Sequence, residues 1–204
     1  MPDTNDFLIV VDVQNDFLPG GALAVPEGND ILPVINRVSR DFVNVVLTQD
    51  WHPAGHSSFA SAHPGKHPYD AIEFLYGRQI LWPDHCVQGT SGADFAPGLS
   101  VPHAQLVIRK GCQHGIDSYS AFRAADRTTR TGLEGYLRER DAGHLYICGL
   151  ATDFCVAWTA LDARSAGFDV SVLMGASRGI RVDGSLDRAL GQLVAAGIAL
   201  VDEL

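Results

Sequence analysis

The sequence predicts an α/β protein with a doubly wound, mostly parallel six-stranded sheet and helices on both faces. Short, apolar, β-branched runs recur along the chain, and helical patterns separate the later ones. Runs that are apolar throughout are typical of strands buried on both faces, as in a parallel sheet. Strands that alternate with helices form right-handed βαβ units, which build such a sheet.

The six strands are predicted from runs of length and composition that favour a strand over a buried helix. The first has the sequence FLIVVDV and the second VNVVLTQ. The six runs occupy residues 7–13, 43–49, 105–110, 144–150, 170–175 and 198–204.

Four helices are predicted from apolar residues at helical spacing. The patterns cover residues 31–38, 133–137, 156–163 and 186–194. Gly167 and Gly197 follow the last two patterns, and glycine commonly stands just after the end of a helix.

Residues 51–104 lack this periodicity and are rich in Pro, Gly, His and Ser. A loop of this length within a compact domain is usually functional or disordered. Its aromatic residues and histidines favour an ordered, functional segment, and the sequence leaves open a short helix within it. Because no repeat, low-complexity tract or linker interrupts the chain, residues 1–204 are expected to form a single domain.

The chain is acidic, with 24 Asp and Glu against 15 Lys and Arg. An acidic surface repels nucleic acid and anionic membranes, so neither is an expected partner. The N-terminal residues lack the basic region of a secretory signal, and no apolar run approaches the roughly 20 residues of a membrane-spanning helix. A cytoplasmic protein is therefore expected, in which disulfides between the four cysteines are improbable.

Polar residues follow four of the predicted strands. The first strand leads to Asp12, the second to Asp50 and His52, the third ends at Lys110, and the fourth runs towards Cys155. Open α/β sheets bind ligands at the carboxyl ends of their strands. The sequence therefore predicts a site at this edge that combines carboxylates, metal-ligand types, a cation and a thiol.

Cys155 is expected in the first turn of a helix, with Thr152 or Asp153 as the N-cap. A helix N-terminus stabilises anions, so the thiol pKa is expected to fall there. Asp12 could then take the thiol proton, and Lys110 could stabilise the thiolate. Position alone leaves three alternatives open: a structural cysteine, a turn-capping aspartate and a solvated lysine.

Asp50 and His52 have the i, i+2 spacing that places two side chains on one face of an extended chain. They could share one metal ion, with a third ligand from the long segment. Two histidines and a carboxylate leave coordination positions open, which suits iron, manganese or zinc. The candidates for the third ligand are His56, His63, His67 and His85.

Five other residues have weaker signals. Phe17 and Trp82 could flank a flat ring, although aromatic residues more often belong to the core. No helix start precedes Cys86, and this residue, Cys112 and Cys148 are interpreted as structural.

Sequence blocks spread over almost the whole chain resemble those of the nicotinamidases (pyrazinamidases) of the isochorismatase-like hydrolase fold. They are VVDVQNDF, TQDWHP, WPDHCV, KG, DSYSAF and GLATDFCV, which begin at residues 10, 48, 82, 110, 117 and 149. The blocks occur in the order of that family. The stretch between His56 and Trp82 matches the family poorly.

The resemblance implies hydrolysis of nicotinamide to nicotinate and ammonia through a cysteine thioester, and of pyrazinamide to pyrazinoate. It implies Cys155 as the nucleophile, with Asp12 and Lys110 completing the catalytic group. One divalent metal ion (zinc, iron or manganese) is implied, and its ligands would be Asp50, His52 and His85. In some members a histidine that matches His56 is a further ligand.

The resemblance also implies how the substrate is held. A cis peptide would join Leu150 and Ala151, and the backbone N–H groups of Ala151 and Cys155 would form an oxyanion hole. The aromatic walls around the pyridine ring would be Phe17 and Trp82, and Leu23 and Tyr119 would be further substrate-binding residues nearby.

Two rival functions are considered. One is a related cysteine amidase that acts on another small amide or ureido group, which would not need a metal to hold a ring nitrogen. The other is a non-catalytic binding protein, which the presence of Asp12, Lys110 and Cys155 disfavours. The sequence leaves open a homo-oligomer and the preference among pyridine and pyrazine carboxamides.

Overall fold

The computed structural model describes residues 2–204 and contains a large parallel sheet, a small hairpin and four α-helices. The strands are β1 (Phe7–Val11), β2 (Asn44–Asp50), β3 (Ala71–Phe74), β4 (Gly77–Ile80), β5 (Leu106–Lys110), β6 (His144–Leu150), β7 (Asp169–Arg178) and β8 (Ala199–Val201). The helices are α1 (Ile31–Val38), α2 (Leu133–Glu139), α3 (Ala157–Ser165) and α4 (Ser185–Ala195).

The large sheet has six strands in the order β5-β2-β1-β6-β7-β8, and all neighbouring pairs are parallel. All six predicted strands are present, each with ends within a few residues of the prediction. β1 lies in the middle between β2 and β6, and each of its five residues is buried. The predicted fold class is confirmed, with a sheet that is entirely parallel.

Helices cover both faces because the chain winds in two directions. It moves from β1 through α1 to β2, towards the β5 edge, and from β6 through α3 to β7, towards the β8 edge. Right-handed crossovers in opposite directions place their helices on opposite faces. α1 and α3 both contact β6 and β7, which are therefore covered from both sides.

The direction of winding reverses between β1 and β6. Ligands in open α/β sheets bind at this switch point, outside the carboxyl ends of the strands. The segments that follow β1 and β6 carry Asp12 and Cys155, so the topology brings these two residues together from distant parts of the sequence.

The segment 51–104 contains a feature that the sequence did not predict. β3 and β4 form an antiparallel hairpin, turning at Leu75 and Tyr76 with Gly77 at φ +115°. Each strand has only four residues and a weak apolar pattern, so periodicity does not reveal them. The helical content of residues 51–104 in the structure is two 3-10 turns, Ala60–Ala62 and Ser91–Ala93.

Within residues 2–204, every helix is too short or too polar to cross a membrane.

Candidate active site

Asp12 follows β1 in the left-handed backbone region, at φ +48°, and is fully buried. Thr48 on β2 donates its hydroxyl to Asp12 Oδ1 at 2.6 Å. Lys110 Nζ lies 2.7 Å from Asp12 Oδ2. Oδ1 is therefore held by a hydrogen bond, whereas Oδ2 has the Lys110 ammonium as its ion-pair partner.

Lys110 is the last residue of β5, and its ammonium is buried at the centre of the site. Besides Asp12, Nζ contacts Asp50 Oδ1 at 2.9 Å, the Ser118 carbonyl at 3.1 Å and Cys155 Sγ at 3.4 Å. One cation thus faces two carboxylates and a thiol. Lys110 therefore contacts both of the other predicted catalytic side chains, and Cys155 Sγ lies within 4.8 Å of an Asp12 carboxylate oxygen.

Cys155 lies in a π-helical turn, Thr152–Val156, that continues into α3. The turn follows a close approach of β6 to β1, where a Cβ on Gly149 would lie 2.1 Å from the Val11 carbonyl oxygen. Only glycine fits this approach, and Gly149 also has φ +116°. The Leu150–Ala151 peptide is cis, as the resemblance implies.

The predicted N-cap is wrong. Ala151 occupies that position, and no side chain caps the turn. The Asp153 carboxylate instead accepts hydrogen bonds from Ile180 N at 2.9 Å and Arg181 N at 2.8 Å, and the Ser185 hydroxyl donates to it as well. Asp153 therefore anchors the loop after β7, which places Ile180 against the pocket.

The expected fall in the thiol pKa is also wrong. Burial raises the pKa of Cys155 well above its ordinary value, although Lys110 acts in the opposite direction. Burial likewise raises the pKa of Asp12 against the effect of Lys110. The raised pKa of Cys155 favours the neutral thiol. The raised pKa of Asp12 favours its protonated form, so Asp12 is the group best suited to accept a proton that leaves Sγ.

Asp50, His52 and His85 form a second cluster that adjoins the first through Asp50. Asp50 Oδ1 contacts Lys110, and Oδ2 lies 3.2 Å from His52 Nε2 and 3.6 Å from His85 Nε2. All three side chains are buried.

This donor set fits a divalent metal ion. His52 Nδ1 is 3.1 Å from the Gly111 carbonyl, and His85 Nδ1 is 2.8 Å from the Pro83 carbonyl. A carbonyl partner fixes the proton on Nδ1 and leaves the Nε2 lone pair available, the usual arrangement of metal-binding histidines. Both Nε2 atoms converge on one carboxylate oxygen, as ligands of a single ion do.

The other candidate histidines are engaged elsewhere. His56 Nδ1 is 2.7 Å from Ser58 Oγ, and His56 Nε2 is 2.9 Å from the Gln113 carbonyl. His63 Nε2 contacts the Ser57 carbonyl at 2.7 Å, and His67 is exposed. His85 is thus the candidate that completes the cluster of Asp50 and His52.

The two clusters open onto one small pocket with about 320 Å³ of empty space. All four predicted substrate-binding residues line it, namely Phe17, Leu23, Trp82 and Tyr119. Trp82 Nε1 donates to the Tyr119 hydroxyl at 2.9 Å, which fixes both rings. The pocket therefore suits a small, flat ligand.

Sequence reasoning missed several residues of this site. Phe154 and Ile180 line the pocket, and Phe154 packs edge-on against Trp82 with ring centroids 4.9 Å apart. Asp117 lies beside His52, and Gln79 donates to its carboxylate at 2.7 Å. Asp117 is the first residue of the sequence block DSYSAF, so the resemblance could have identified it. Gln79 lies on the hairpin that was not predicted, and no sequence signal pointed to it.

The other three cysteines are free, like Cys155. Cys86 and Cys148 are buried, and burial raises the pKa of the Cys148 thiol to about 12, in keeping with inert structural residues. Cys112 is exposed, so its interpretation as a buried structural residue is wrong. It follows Gly111 directly after β5, outside the pocket.

The isochorismatase domain family model matches residues 6–203 of this chain. A nicotinamidase of Acinetobacter baylyi is 55% identical over 194 residues, which are 95% of this chain and 91% of the relative.

Two solved structures are also similar. One is the Acinetobacter baumanii nicotinamidase and pyrazinamidase, with 54% identity, a TM-score of 0.97 and coverage of 98% of this chain and 97% of that one. The other is the pyrazinamidase of Pyrococcus horikoshii in complex with zinc, with 38% identity, a TM-score of 0.81 and coverage of 98% and 99%.

Proposed function

This chain belongs to the isochorismatase family, and we propose that its reaction is the hydrolysis of nicotinamide to nicotinate and ammonia. One observation carries the proposal. The group of Asp12, Lys110 and Cys155 contacts the cluster of Asp50, His52 and His85 at the floor of a small pocket with aromatic walls. A thiol for the carboxamide thus lies beside a site that can recognise a ring nitrogen. Pyrazinamide has the same two features and should also be a substrate.

The first half of the reaction forms a thioester. Asp12 takes the proton from Cys155 Sγ as the sulfur attacks the carboxamide carbon. The N–H groups of Phe154 and Val156 both donate to the Ala151 carbonyl, whereas Ala151 and Cys155 line the pocket. We therefore propose that the N–H groups of Ala151 and Cys155 donate hydrogen bonds to the oxyanion of the tetrahedral intermediate. The C–N bond then breaks, and Asp12 protonates the departing nitrogen to give ammonia.

The second half releases the acid. Asp12, ionised again, takes a proton from water as the water oxygen attacks the thioester carbon. The C–S bond breaks, Asp12 returns its proton to Sγ, and the carboxylic acid ionises to nicotinate. Lys110 remains charged throughout, because Asp12 and Asp50 hold its pKa well above the usual value despite burial. Its charge offsets each anion that forms beside it.

Asp50, His52 and His85 are the proposed ligands of one divalent ion, and His56 is not assigned as a ligand because both its ring nitrogens are hydrogen-bonded. Zinc is the first candidate, since the Pyrococcus horikoshii relative was solved with zinc. When bound, the ion supplies a positive charge that orients the ring nitrogen of the substrate.

The direct test is ammonia release from nicotinamide, pyrazinamide and benzamide by the purified protein, before and after treatment with a chelator. Metal content is measured on the same samples. We expect turnover of the first two substrates, little turnover of benzamide, and loss of turnover with loss of the metal. Absence of ammonia release from nicotinamide by metal-loaded protein would refute the proposed reaction. Faster hydrolysis of a ureido compound than of nicotinamide would favour the rival amidase.

A further inference from the structure

Asp16 contacts the segment that carries His85, although it lies outside both clusters. Its Oδ2 accepts a hydrogen bond from Cys86 N at 2.7 Å. Cys86 has φ +46°, a left-handed conformation that a non-glycine residue adopts at a cost. The hydrogen bond from Asp16 fixes this turn immediately after His85, while the Pro83 carbonyl fixes the His85 ring from the other side.

The same residue also holds a wall of the substrate pocket. Asp16 Oδ1 accepts from Ala22 N at 3.3 Å, and the Asp16 carbonyl accepts from Leu23 N at 2.9 Å. Leu23 and Phe17, the residue next to Asp16, both line the pocket. The Asp16 carboxylate therefore joins the turn after His85 to Ala22, the residue next to the Leu23 wall.

A third segment, around Gly92, leaves room for the Asp16 carboxylate. Gly92 packs against it so closely that a Cβ would lie 2.1 Å from Asp16 Oδ2 and 2.4 Å from its Cγ. Gly92 does not line the pocket and is not among the proposed metal ligands. An alanine at this position would displace the Asp16 carboxylate or the segment around it. This provides a second way to perturb the carboxylate without changing Asp16 itself.

We propose that Asp16 is a positioning residue that holds His85 in place for the metal and couples it to the Leu23 wall of the pocket. The inference rests on the metal site of the proposed function. Residues that orient metal ligands typically contribute about 10- to 100-fold to metal affinity. Asp16 acts on His85 only through the backbone, so we expect its loss to lower metal affinity by about tenfold, the lower end of that range.

The test measures Zn²⁺ affinity by competition with a chromophoric chelator, using Asp16→Ala, Asp16→Asn and Gly92→Ala. We expect Zn²⁺ affinity to fall in all three, and least in Asp16→Asn, because its amide keeps one acceptor oxygen. The KM for nicotinamide should rise together with the Zn²⁺ dissociation constant. The alkylation rate of Cys155, followed by peptide mass spectrometry, should stay at the wild-type value because Asp16 does not contact the nucleophile.

Asp84→Asn is the matched control. Asp84 precedes His85 directly, but it is exposed and accepts from Ser61 Oγ at 2.5 Å. Its replacement should leave Zn²⁺ affinity unchanged. Wild-type Zn²⁺ affinity in both Asp16→Ala and Gly92→Ala would overturn the inference, even if their melting temperatures fell. Failure of the wild-type protein itself to bind Zn²⁺ would overturn the proposed metal site and this inference together.

Discussion

Replacement of Lys110 by methionine tests the electrostatic core of the site. The side chain keeps most of its length and loses its charge, which leaves Asp12 and Asp50 buried without the cation at 2.7 and 2.9 Å. Removal of one partner from a buried ion pair typically costs about 3–5 kcal/mol, because the remaining charge is uncompensated. At an m-value of about 2 kcal/mol/M, a loss of about 4 kcal/mol lowers the urea midpoint by about 2 M.

The loss of stability should depend on pH in a defined direction. Burial raises the pKa of Asp12 even beside Lys110, and without the cation this pKa should rise further. Ionisation of a carboxyl group whose folded-state pKa exceeds its unfolded-state pKa destabilises the fold. The difference in unfolding free energy between wild type and Lys110→Met should therefore grow as pH rises through the raised Asp12 pKa. It should shrink as pH falls towards the unfolded-state pKa of Asp12.

Urea unfolding from mildly acidic to neutral pH, followed by tryptophan fluorescence, measures this effect. Lys66→Met is the matched control, because Lys66 is the other lysine of the chain and is exposed. It should leave the midpoint unchanged. If Lys110→Met shifted the midpoint no more than Lys66→Met at neutral pH, the assignment of Lys110 as the counter-charge of the site would be wrong.

Three further predictions concern the proton carrier and the metal. Asp12→Asn should lower kcat by about 10²- to 10⁴-fold, since one carboxylate serves several proton transfers; a steady-state loss well below this range would point to another base. His52→Ala should impair turnover of nicotinamide and pyrazinamide more than that of benzamide, which lacks the ring nitrogen, and equal losses in kcat/KM would contradict the proposed task of the metal. Gly111→Ala should lower Zn²⁺ affinity in a chelator competition, because its Cβ would lie 2.4 Å from His52 Cε1 and its φ is +65°. Gly65→Ala, at φ +77° with open space around it, controls for backbone strain alone and should bind Zn²⁺ as the wild type does.

Much of the fold could be predicted because buried parallel strands are apolar throughout. The run FLIVVDV correctly predicted β1. Residues at the carboxyl ends of β1, β2, β5 and β6 were correctly expected to meet at one edge of the sheet. The β3–β4 hairpin was not predicted, because its four-residue strands are too short and too mixed in burial to show an apolar pattern.

The site residues were predicted as a set, but the direction of their pKa shifts and their hydrogen-bond partners were not. Cys155 does lie at a helix start, yet burial dominates and raises its pKa. Asp153 resembled an N-cap, yet its carboxylate bonds to the backbone of Ile180 and Arg181. Whether His56 is a further ligand could not be decided from sequence alone, because the carbonyls that engage its Nε2 belong to residues over fifty positions away. Such long-range contacts leave no local signature.

The central claim is that the Cys155 sulfur becomes acylated by the substrate. Acid quenching during turnover of nicotinamide, followed by peptide mass spectrometry, tests it most directly. We expect a nicotinoyl group on the peptide that contains Cys155, absent from Cys155→Ala, together with loss of ammonia release in that variant. An unmodified Cys155 peptide at every quench time, with ammonia release retained in Cys155→Ala, would contradict the account.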